Sequence, residues 1–203
     1  DTVLVEEKID GSQFSFGLFS DGYRMRSKGA QLNIFAPDKM FARGVEVVLG
    51  LPLHEGWTYR AEYLAKPKHN ALAYDRIPRQ HIIIFDINTS HEEYLSWPAK
   101  AAEAARLGLE VVPHLHEGLV TDIQMFRALL DTTSCLGGQK VEGAVIKNYA
   151  RFGPDKKCLM GKFVSAAFKA VPAAEGERAN PTTGDVGGEM VRGYATPARW
   201  PKA

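Results

Sequence analysis

The chain has 203 residues, of which 45% are hydrophobic and 24% are charged, and its formal net charge is +1. This length and composition predict a globular protein with one sizeable core, and the longest apolar runs, such as residues 82–85, exclude a membrane helix of about 20 apolar residues. The small net charge leaves a nucleic-acid partner open, because a protein can concentrate its positive charge in one groove.

Seven segments rich in β-branched and aromatic residues predict strands. In chain order they are residues 2–7, 13–19, 23–27, 57–64, 81–88, 142–149 and 159–164. The turn Ser20-Asp21-Gly22 predicts that the second and third form a β-hairpin. Four consecutive apolar residues in the fifth strand predict that it is covered on both faces.

Four helices are predicted between these strands. The first begins near Asp38, where apolar residues start to recur at helical spacing. The second follows the capping-box pattern Ser90-His91-Glu92-Glu93, has Pro98 in its first turn, and ends at Arg106 before Gly108. The remaining two are expected over residues 121–130 and 165–170.

A lysine near the start of the chain, Lys8, lies in the sequence KIDG. This short pattern recurs by chance, and by itself it favours an ordinary surface lysine. Several unusual segments follow it downstream. They are RMRSKG (24–29), AEYLAKPKH (61–69), IIIFDI (82–87), EGAVIK (142–147) and MGKF (160–163).

In this order, the segments resemble the collinear motifs of the covalent nucleotidyltransferases, which comprise ATP-dependent RNA ligases, DNA ligases and mRNA capping enzymes. The RNA ligase 2 type of RNA ligase is the most similar. The resemblance implies an α+β fold, an ATP-grasp-like ligase adenylation domain whose antiparallel sheets flank a nucleotide groove. It implies an adenylyltransferase domain over residues 1–171. The residues that follow are rich in Gly, Pro and charge and lack periodicity, which predicts a linker or disordered tail over 172–203 and no C-terminal domain.

The implied reaction seals 5′-phosphate and 3′-hydroxyl RNA ends, as in RNA repair, through lysyl-AMP and RNA-adenylate. Its cofactors are ATP and Mg²⁺ or Mn²⁺. An amine attacks phosphorus only when unprotonated, and an ordinary lysine has a pKa of about 10.4, so a nucleophilic lysine needs nearby cations and partial removal from water. The resemblance makes Lys8 the nucleophile, and Lys147 and Lys162 are expected to supply those cations and to neutralise the phosphates.

The other expected roles also come from the resemblance. Arg26 would contact phosphate, Glu62 would accept hydrogen bonds from the ribose, and Glu142 would organise the metal. Phe85 and Val145 would enclose the adenine. The full expected nucleotide-binding set is Glu7, Asp10, Gly11, Arg26, Glu62, Phe85, Val145, Lys147 and Lys162.

One position departs from the family pattern, because Met160 stands where the last motif usually has the first of two lysines. Lys157 or Lys169 is the expected substitute. His69 is a further candidate phosphate contact. The expected RNA-binding rim consists of Lys28, Lys66, Lys68, Arg151, Lys156 and Lys157.

Three alternatives remain open at this point: a DNA ligase, a GTP-using capping enzyme, and a non-catalytic module that binds RNA ends. The expected partner is nicked or broken RNA, including an RNA/DNA duplex, with the protein as a monomer away from any membrane. No leader sequence is visible, so the expected location is the cytoplasm of a bacterium or a phage-infected cell. Cys135 and Cys158 do not have the spacing of a zinc site.

Overall fold

Two β-sheets and three α-helices form the part of the chain that the computed structural model describes, residues 1–120 and 122–165. The strands are β1 (Thr2–Lys8), β2 (Ser12–Phe19), β3 (Gly22–Ser27), β4 (Thr58–Tyr63), β5 (Ile82–Ser90), β6 (Glu93–Tyr94), β7 (Glu110–Val111), β8 (His114–Leu119), β9 (Gly143–Phe152) and β10 (Cys158–Val164). The helices are α1 (Ala42–Leu49), α2 (Trp97–Arg106) and α3 (Ile123–Leu130). Within these residues, no helix has the length and apolar character needed to span a membrane.

The first sheet has the strand order β10-β9-β1-β8, and all of its neighbouring pairs are antiparallel. The second sheet has the order β3-β2-β4-β5-β6, with β7 added in parallel to β5. In the first sheet, β1 is a central strand between β8 and β9. The strand that ends at Lys8 therefore lies beside the strand of the EGAVIK segment.

Each sheet has one face covered by helices. Val3 and Val5 of β1 pack with Phe126 of α3 on the outer face of the first sheet. Residues of α1 and α2 pack with Phe14 and Tyr63 on the outer face of the second sheet. Because successive residues of a strand point to opposite faces, the polar residues between these apolar ones lie on the inner faces, where the two sheets meet.

The predicted α+β class with antiparallel sheets is confirmed. All seven predicted strands are present, with ends within three residues of the expected positions. The predicted hairpin is β2–β3, in which Phe19 pairs with Gly22, and Gly22 has a φ of +114°. All four residues of the run 82–85 are buried, as expected for a strand covered on both faces.

The predicted start of the first helix was wrong by several residues. Asp38 precedes α1 but does not belong to it, because its Oδ1 accepts a hydrogen bond from the Met40 amide at 2.8 Å and its carbonyl accepts one from the Phe41 amide at 2.9 Å. These bonds stabilise a turn, and the helix begins only at Ala42. The side chain of an aspartate accepts a hydrogen bond from a following backbone amide both in turns and at helix starts, so the sequence could not distinguish the two.

The capping-box interpretation of Ser90 was also wrong. Ser90 pairs with Glu93 across the β5–β6 turn, and its Oγ donates to Glu93 Oε2 at 2.6 Å. Helix α2 begins at Trp97, with Pro98 in its first turn and its end at Arg106, as predicted. Gly108 follows with a φ of +68°.

Strand β8 was not predicted, because His114–Leu119 lacks clear alternation and contains a glycine. Helix α3 was predicted, and the Asp122 side chain accepts a hydrogen bond from the Gln124 amide at 2.9 Å at its start. The helix expected over 165–170 lies outside the described residues, apart from Ser165, and so does the tail expected over 172–203.

Candidate active site

Lys8 ends β1 beside the carboxylate of Glu142. Its Nζ donates a hydrogen bond to Glu142 Oε1 at 2.5 Å, although 134 positions separate the two residues. The Lys8 side chain is 23% exposed and that of Glu142 is 3% exposed. Burial raises the pKa of Glu142, and the charge of Lys8 opposes this rise. The site thus combines a reachable amine with a buried carboxylate that is a stronger base than an exposed one.

Strand register explains how these two residues meet. Lys8 pairs with Gly143 across β1 and β9, so Glu142 immediately precedes the residue opposite Lys8. A Cβ atom at Gly143 would lie 2.4 Å from the carbonyl oxygen of Phe163 on β10. Only glycine allows β10 to approach this closely, which gives the glycine of the EGAVIK segment a steric reason.

Glu62, on β4, is half-buried and contributes a second carboxylate, whose Oε2 is buried. Burial raises the pKa of Glu62 to about 8, with a further rise from Glu142, while the charges of Lys8 and Lys162 oppose it. Oε2 of Glu62 and Oε2 of Glu142 are both buried, and neither accepts a hydrogen bond from the described residues. Buried oxygens of this kind normally have partners, so these two suit the hydroxyl groups or the cation of a ligand.

Three amines share this environment. Removal from water lowers the pKa of Lys162, and the positive charges of Lys8 and Lys28 lower it further, whereas Glu62 and Glu142 act in the opposite direction. Lys8, Glu62 and Lys162 lie on strands of the two sheets, whereas Glu142 directly precedes β9 and Lys28 directly follows β3. The structure therefore brings together Lys8, Lys162, Glu62 and Glu142, four residues expected from the sequence.

Arg26 also projects toward the inner side of its sheet, because the preceding residue, Met25, is buried in the outer core. Met160 pairs with Lys147 across β10 and β9 and lies two residues before Lys162, on the same face. Lys157 precedes β10, and Lys169 lies outside the described residues. Besides Lys8, Lys28 is a cation that acts on Lys162. A substitution for the missing lysine by Lys157 or Lys169 stays a prediction.

Lys147 belongs to a buried ion network. Its Nζ donates to Glu6 Oε2 at 2.5 Å, to the carbonyl oxygen of Phe85 at 2.6 Å and to Asp86 Oδ1 at 3.0 Å. Burial lowers the pKa of Lys147, but the charges of Asp86 and Glu6 outweigh burial and raise it overall. An ammonium group has three donors, and here all three are used inside the protein. The expected phosphate contact of Lys147 therefore stays a prediction.

Phe85 lies at a β-bulge of β5. Asp86 pairs with Arg60 and Ile84 pairs with Ala61, so the register between β4 and β5 shifts at Phe85. A bulge redirects side chains. Phe85 is 9% exposed, and Lys147 Nζ lies 5.6 Å from the centroid of its ring.

Val145 is half-buried on the inner face of β9, where it pairs with Glu6. This places an aliphatic side chain on the first sheet and the Phe85 ring on the second. Their expected contact with adenine stays a prediction.

The KIDG segment is tied to the loop after β4. Asp10 Oδ2 accepts a hydrogen bond from the Leu72 amide at 2.8 Å, and the Asp10 amide donates to the Tyr74 hydroxyl at 2.8 Å. Gly11 permits close packing rather than a positive φ, because a Cβ atom there would lie 3.0 Å from Glu62 Cβ and 2.9 Å from Leu64 Cδ1. The motif thus fixes the spacing between Lys8 and Glu62.

His69 is engaged in the same loop. Its Nδ1 accepts a hydrogen bond from the Ala65 amide at 3.0 Å, so Nε2 carries the proton of the neutral ring and donates to Ser12 Oγ at 2.8 Å. Both ring nitrogens are therefore used by the protein. The expected phosphate contact of His69 stays a prediction.

Glu7 points to the opposite face of β1 from Lys8. Its Oε1 accepts from Ser134 Oγ at 2.5 Å and its Oε2 accepts from the Cys135 amide at 3.0 Å. The structure therefore does not bring the Glu7 carboxylate together with those of Glu62 and Glu142. A role of Glu7 in nucleotide binding stays a prediction.

Five of the six predicted rim residues are exposed, and Lys157 is half-buried. Arg151 forms an ion pair with Asp1 at 2.5 Å. Across the described residues, no group of three or more His, Cys, Asp or Glu side chains could hold a metal ion. A site with one carboxylate and the phosphates of a nucleotide suits Mg²⁺, which keeps several waters.

Two further residues shape the site, and neither was predicted from the sequence. Lys100 of α2 is fully buried, and its Nζ donates to Glu6 Oε1 and to the carbonyl oxygen of Phe85. Tyr149 donates to Asp86 Oδ1 at 2.5 Å. A signal for Lys100 existed, because it lies four residues before the buried Ala104 and so shares the buried face of the helix.

The inner faces of the two sheets thus bring a lysine and two incompletely paired carboxylates together. The RNA ligase family model matches residues 1–171. The chain belongs to the RNA ligase family. No curated protein matches the chain.

Solved structures of this family share the fold. The Naegleria gruberi RNA ligase with PPi is 18% identical to the chain, with a TM-score of 0.59 over 82% of this chain and 50% of that one. A lysine-to-alanine mutant of the same ligase with ATP and Mn is 19% identical, with a TM-score of 0.60 and the same coverage. A lysine-to-methionine mutant with AMP and Mn gives the same values as this second structure. The chain spans about half the length of these ligases.

Proposed function

We propose that this chain contains the adenylyltransferase domain of an ATP-dependent RNA ligase, within residues 1–171, with Lys8 as its nucleophile. The observation that carries the proposal is the 2.5 Å hydrogen bond between Lys8 and the buried Glu142, beside the unpartnered buried oxygens of Glu62 and Glu142. Membership of the RNA ligase family and the similarity to a ligase with ATP and Mn support the choice of ATP, a divalent cation and RNA.

In the first step, the Lys8 amine attacks the α-phosphorus of ATP. A nitrogen–phosphorus bond forms, the bond to the bridging oxygen breaks, and pyrophosphate leaves from the opposite side. The product is lysyl-AMP. Lys162, Lys28 and Arg26 stabilise the negative charge on the phosphates, while Glu62 accepts hydrogen bonds from the ribose hydroxyls and Phe85 and Val145 enclose the adenine.

Glu142 has two separable tasks, one for each oxygen. Oε1 accepts the hydrogen bond from Lys8 and takes the proton that the amine must lose before it attacks, which the raised pKa of Glu142 favours. Oε2 has no partner among the described residues and would hold the divalent cation. A bound Mg²⁺ or Mn²⁺ would supply charge neutralisation at the phosphates.

The following two steps require RNA. AMP is transferred from Lys8 to a 5′-phosphate end to give RNA-adenylate, and a 3′-hydroxyl then attacks that end, forms the phosphodiester and releases AMP. Exposed lysines beside the site, including Lys28, Lys66 and Lys68, would hold the RNA backbone in a salt-dependent manner.

The test is covalent labelling with α-³²P-ATP and Mg²⁺ or Mn²⁺, followed by denaturing gel electrophoresis. We expect a labelled band for the parent protein and none for Lys8→Ala. Lys39→Ala is the matched control, because Lys39 is an exposed lysine before α1, outside the site, and it should label like the parent. Label from ATP but not from GTP would exclude a capping enzyme.

Ligation is tested separately with nicked RNA and nicked DNA of the same sequence. Preferential sealing of RNA supports the proposal, whereas preferential sealing of DNA indicates a DNA ligase. Absence of labelling in a folded parent protein would favour a non-catalytic module that binds RNA ends. Equal labelling of Lys8→Ala would remove Lys8 from the mechanism.

A further inference from the structure

We propose that Lys100, on α2, is a positioning residue of the nucleotide site, which holds the adenine-binding Phe85 and the strand of Lys8 in a fixed relation. This inference rests on the proposed function, because it concerns how the site binds ATP. Lys100 lies in a helix outside every sequence motif of the site, and its effect is exerted through Phe85 and Glu6.

The ammonium group of Lys100 joins one residue from each sheet. It donates to Glu6 Oε1 of β1 and, at 2.6 Å, to the carbonyl oxygen of Phe85 on β5. Lys147 donates to the other oxygen of Glu6 and, also at 2.6 Å, to the same carbonyl oxygen. One carboxylate and one carbonyl group are thus each bound by two ammonium groups.

Both anchored residues are adjacent to reacting or binding groups. Glu6 lies two residues before Lys8 and on the same face of β1, so fixing Glu6 orients the end of the strand that presents the nucleophile. Phe85 lies at the β4–β5 bulge, between Ile84, which pairs with Ala61, and Asp86, which pairs with Arg60. Lys100 and Lys147 both donate to its carbonyl oxygen, so they hold the backbone that carries the ring.

A stabilising role alone does not account for this arrangement. Lys100 is fully buried, and replacing a buried ion pair with well-packed apolar groups is often neutral or favourable for stability. What an apolar side chain cannot do is donate in fixed directions to a carboxylate on one sheet and a carbonyl on the other. This directional link is the property that a nucleotide site between two sheets requires.

The test measures Lys8 adenylylation as a function of ATP concentration in the parent and in Lys100→Met. We expect the KM for ATP to rise by about tenfold or more, which corresponds to about 1.4 kcal/mol, while the maximum rate changes less than threefold. Lys39→Met is the matched control, since it removes an exposed lysine, and its KM should equal that of the parent.

A charge-balanced variant separates positioning from misfolding. Lys100→Met leaves the network of two carboxylates with one ammonium group, and this imbalance can prevent folding. The double variant Glu6→Gln/Lys100→Met restores the balance, and the amide oxygen can still accept a hydrogen bond from Lys147. A KM that remains raised in this double variant supports positioning, whereas a return to the parent KM overturns it.

The last comparison asks whether Lys100 acts through Phe85. In a Phe85→Leu background, Lys100→Met should raise the KM by less than twofold, because the aromatic ring that it positions is absent. Independent, multiplicative effects of the two changes overturn the proposal, and so does an unchanged KM in Lys100→Met. If the parent protein itself is not labelled, the proposed function fails, and that result is distinct from labelling with an unchanged KM.

Discussion

Replacing Lys147 with methionine removes an ammonium group that donates three hydrogen bonds in a buried site. The acceptors are Glu6 Oε2 at 2.5 Å, the Phe85 carbonyl at 2.6 Å and Asp86 Oδ1 at 3.0 Å, and the side chain is 2% exposed. Removing one partner of a buried ion pair costs about 3–5 kcal/mol, because the remaining charge is left buried. In a protein of this length, 1 kcal/mol corresponds to a change in Tm of about 2–4 °C.

We therefore expect Lys147→Met to lower the Tm by about 6–20 °C. Thermal and urea unfolding followed by circular dichroism measure this change. Lys162→Met is the matched comparison, because the Lys162 side chain is accessible to solvent although neighbouring protein atoms partly remove it from water. Its free energy of unfolding should differ from that of the parent by about 0.5 kcal/mol or less while labelling by ATP is impaired. A Tm of Lys147→Met within 2 °C of the parent would refute the reasoning and would favour the phosphate contact expected from the sequence.

Three further predictions follow from the site. Glu142→Gln should slow labelling of Lys8 by about 100-fold or more in a time course, because the proton acceptor is lost; a rate within threefold of the parent would exclude that role. Since the folded pKa of Glu62 is about 8 and its ordinary value is 4.5, the folded state retains a proton that the unfolded chain loses between these pH values, and stability falls as the pH rises. We therefore expect the free energy of unfolding of Glu62→Gln, measured with urea, to increase relative to that of the parent by more than about 1 kcal/mol between pH 5 and pH 8. The same difference between the two proteins at both pH values would contradict the raised pKa. Gly11→Ala should cost about 1–3 kcal/mol of stability and reduce labelling, because its Cβ would lie 3.0 Å from Glu62 Cβ. In Gly29→Ala the added Cβ meets nothing within 4 Å, so unfolding and labelling should both match the parent.

The strands were largely predictable because their signals are local. β-branched and aromatic residues mark strands wherever they occur, and the run at 82–85 indicated a strand buried on both faces. The errors fell where one residue type serves two local structures. Asp38 and Ser90 both favour helix starts and turns, and the choice depended on whether the following residues could pack as a helix.

The sequence predicted which residues form the candidate site better than it predicted the contacts of their side chains. Lys8, Glu62, Glu142 and Lys162 could be named from the order of motifs, and the structure brings them together. The partners of Lys147 could not be named, because its three acceptors come from β1 and β5, far from it in sequence. A motif identifies a residue type, whereas the direction of its side chain depends on strand register.

The sequence by itself determined which segments form strands, the family to which the chain belongs, and the lysine expected to act as nucleophile. These depend on residue type and order, which are local properties of the chain. Only the tertiary structure decided that Glu7 faces away from Lys8 and that Lys100 and Lys147 together hold Glu6 and Phe85. The physical reason is that a buried charge must find an opposite charge or a carbonyl group wherever the packed sheets provide one, at any separation along the chain.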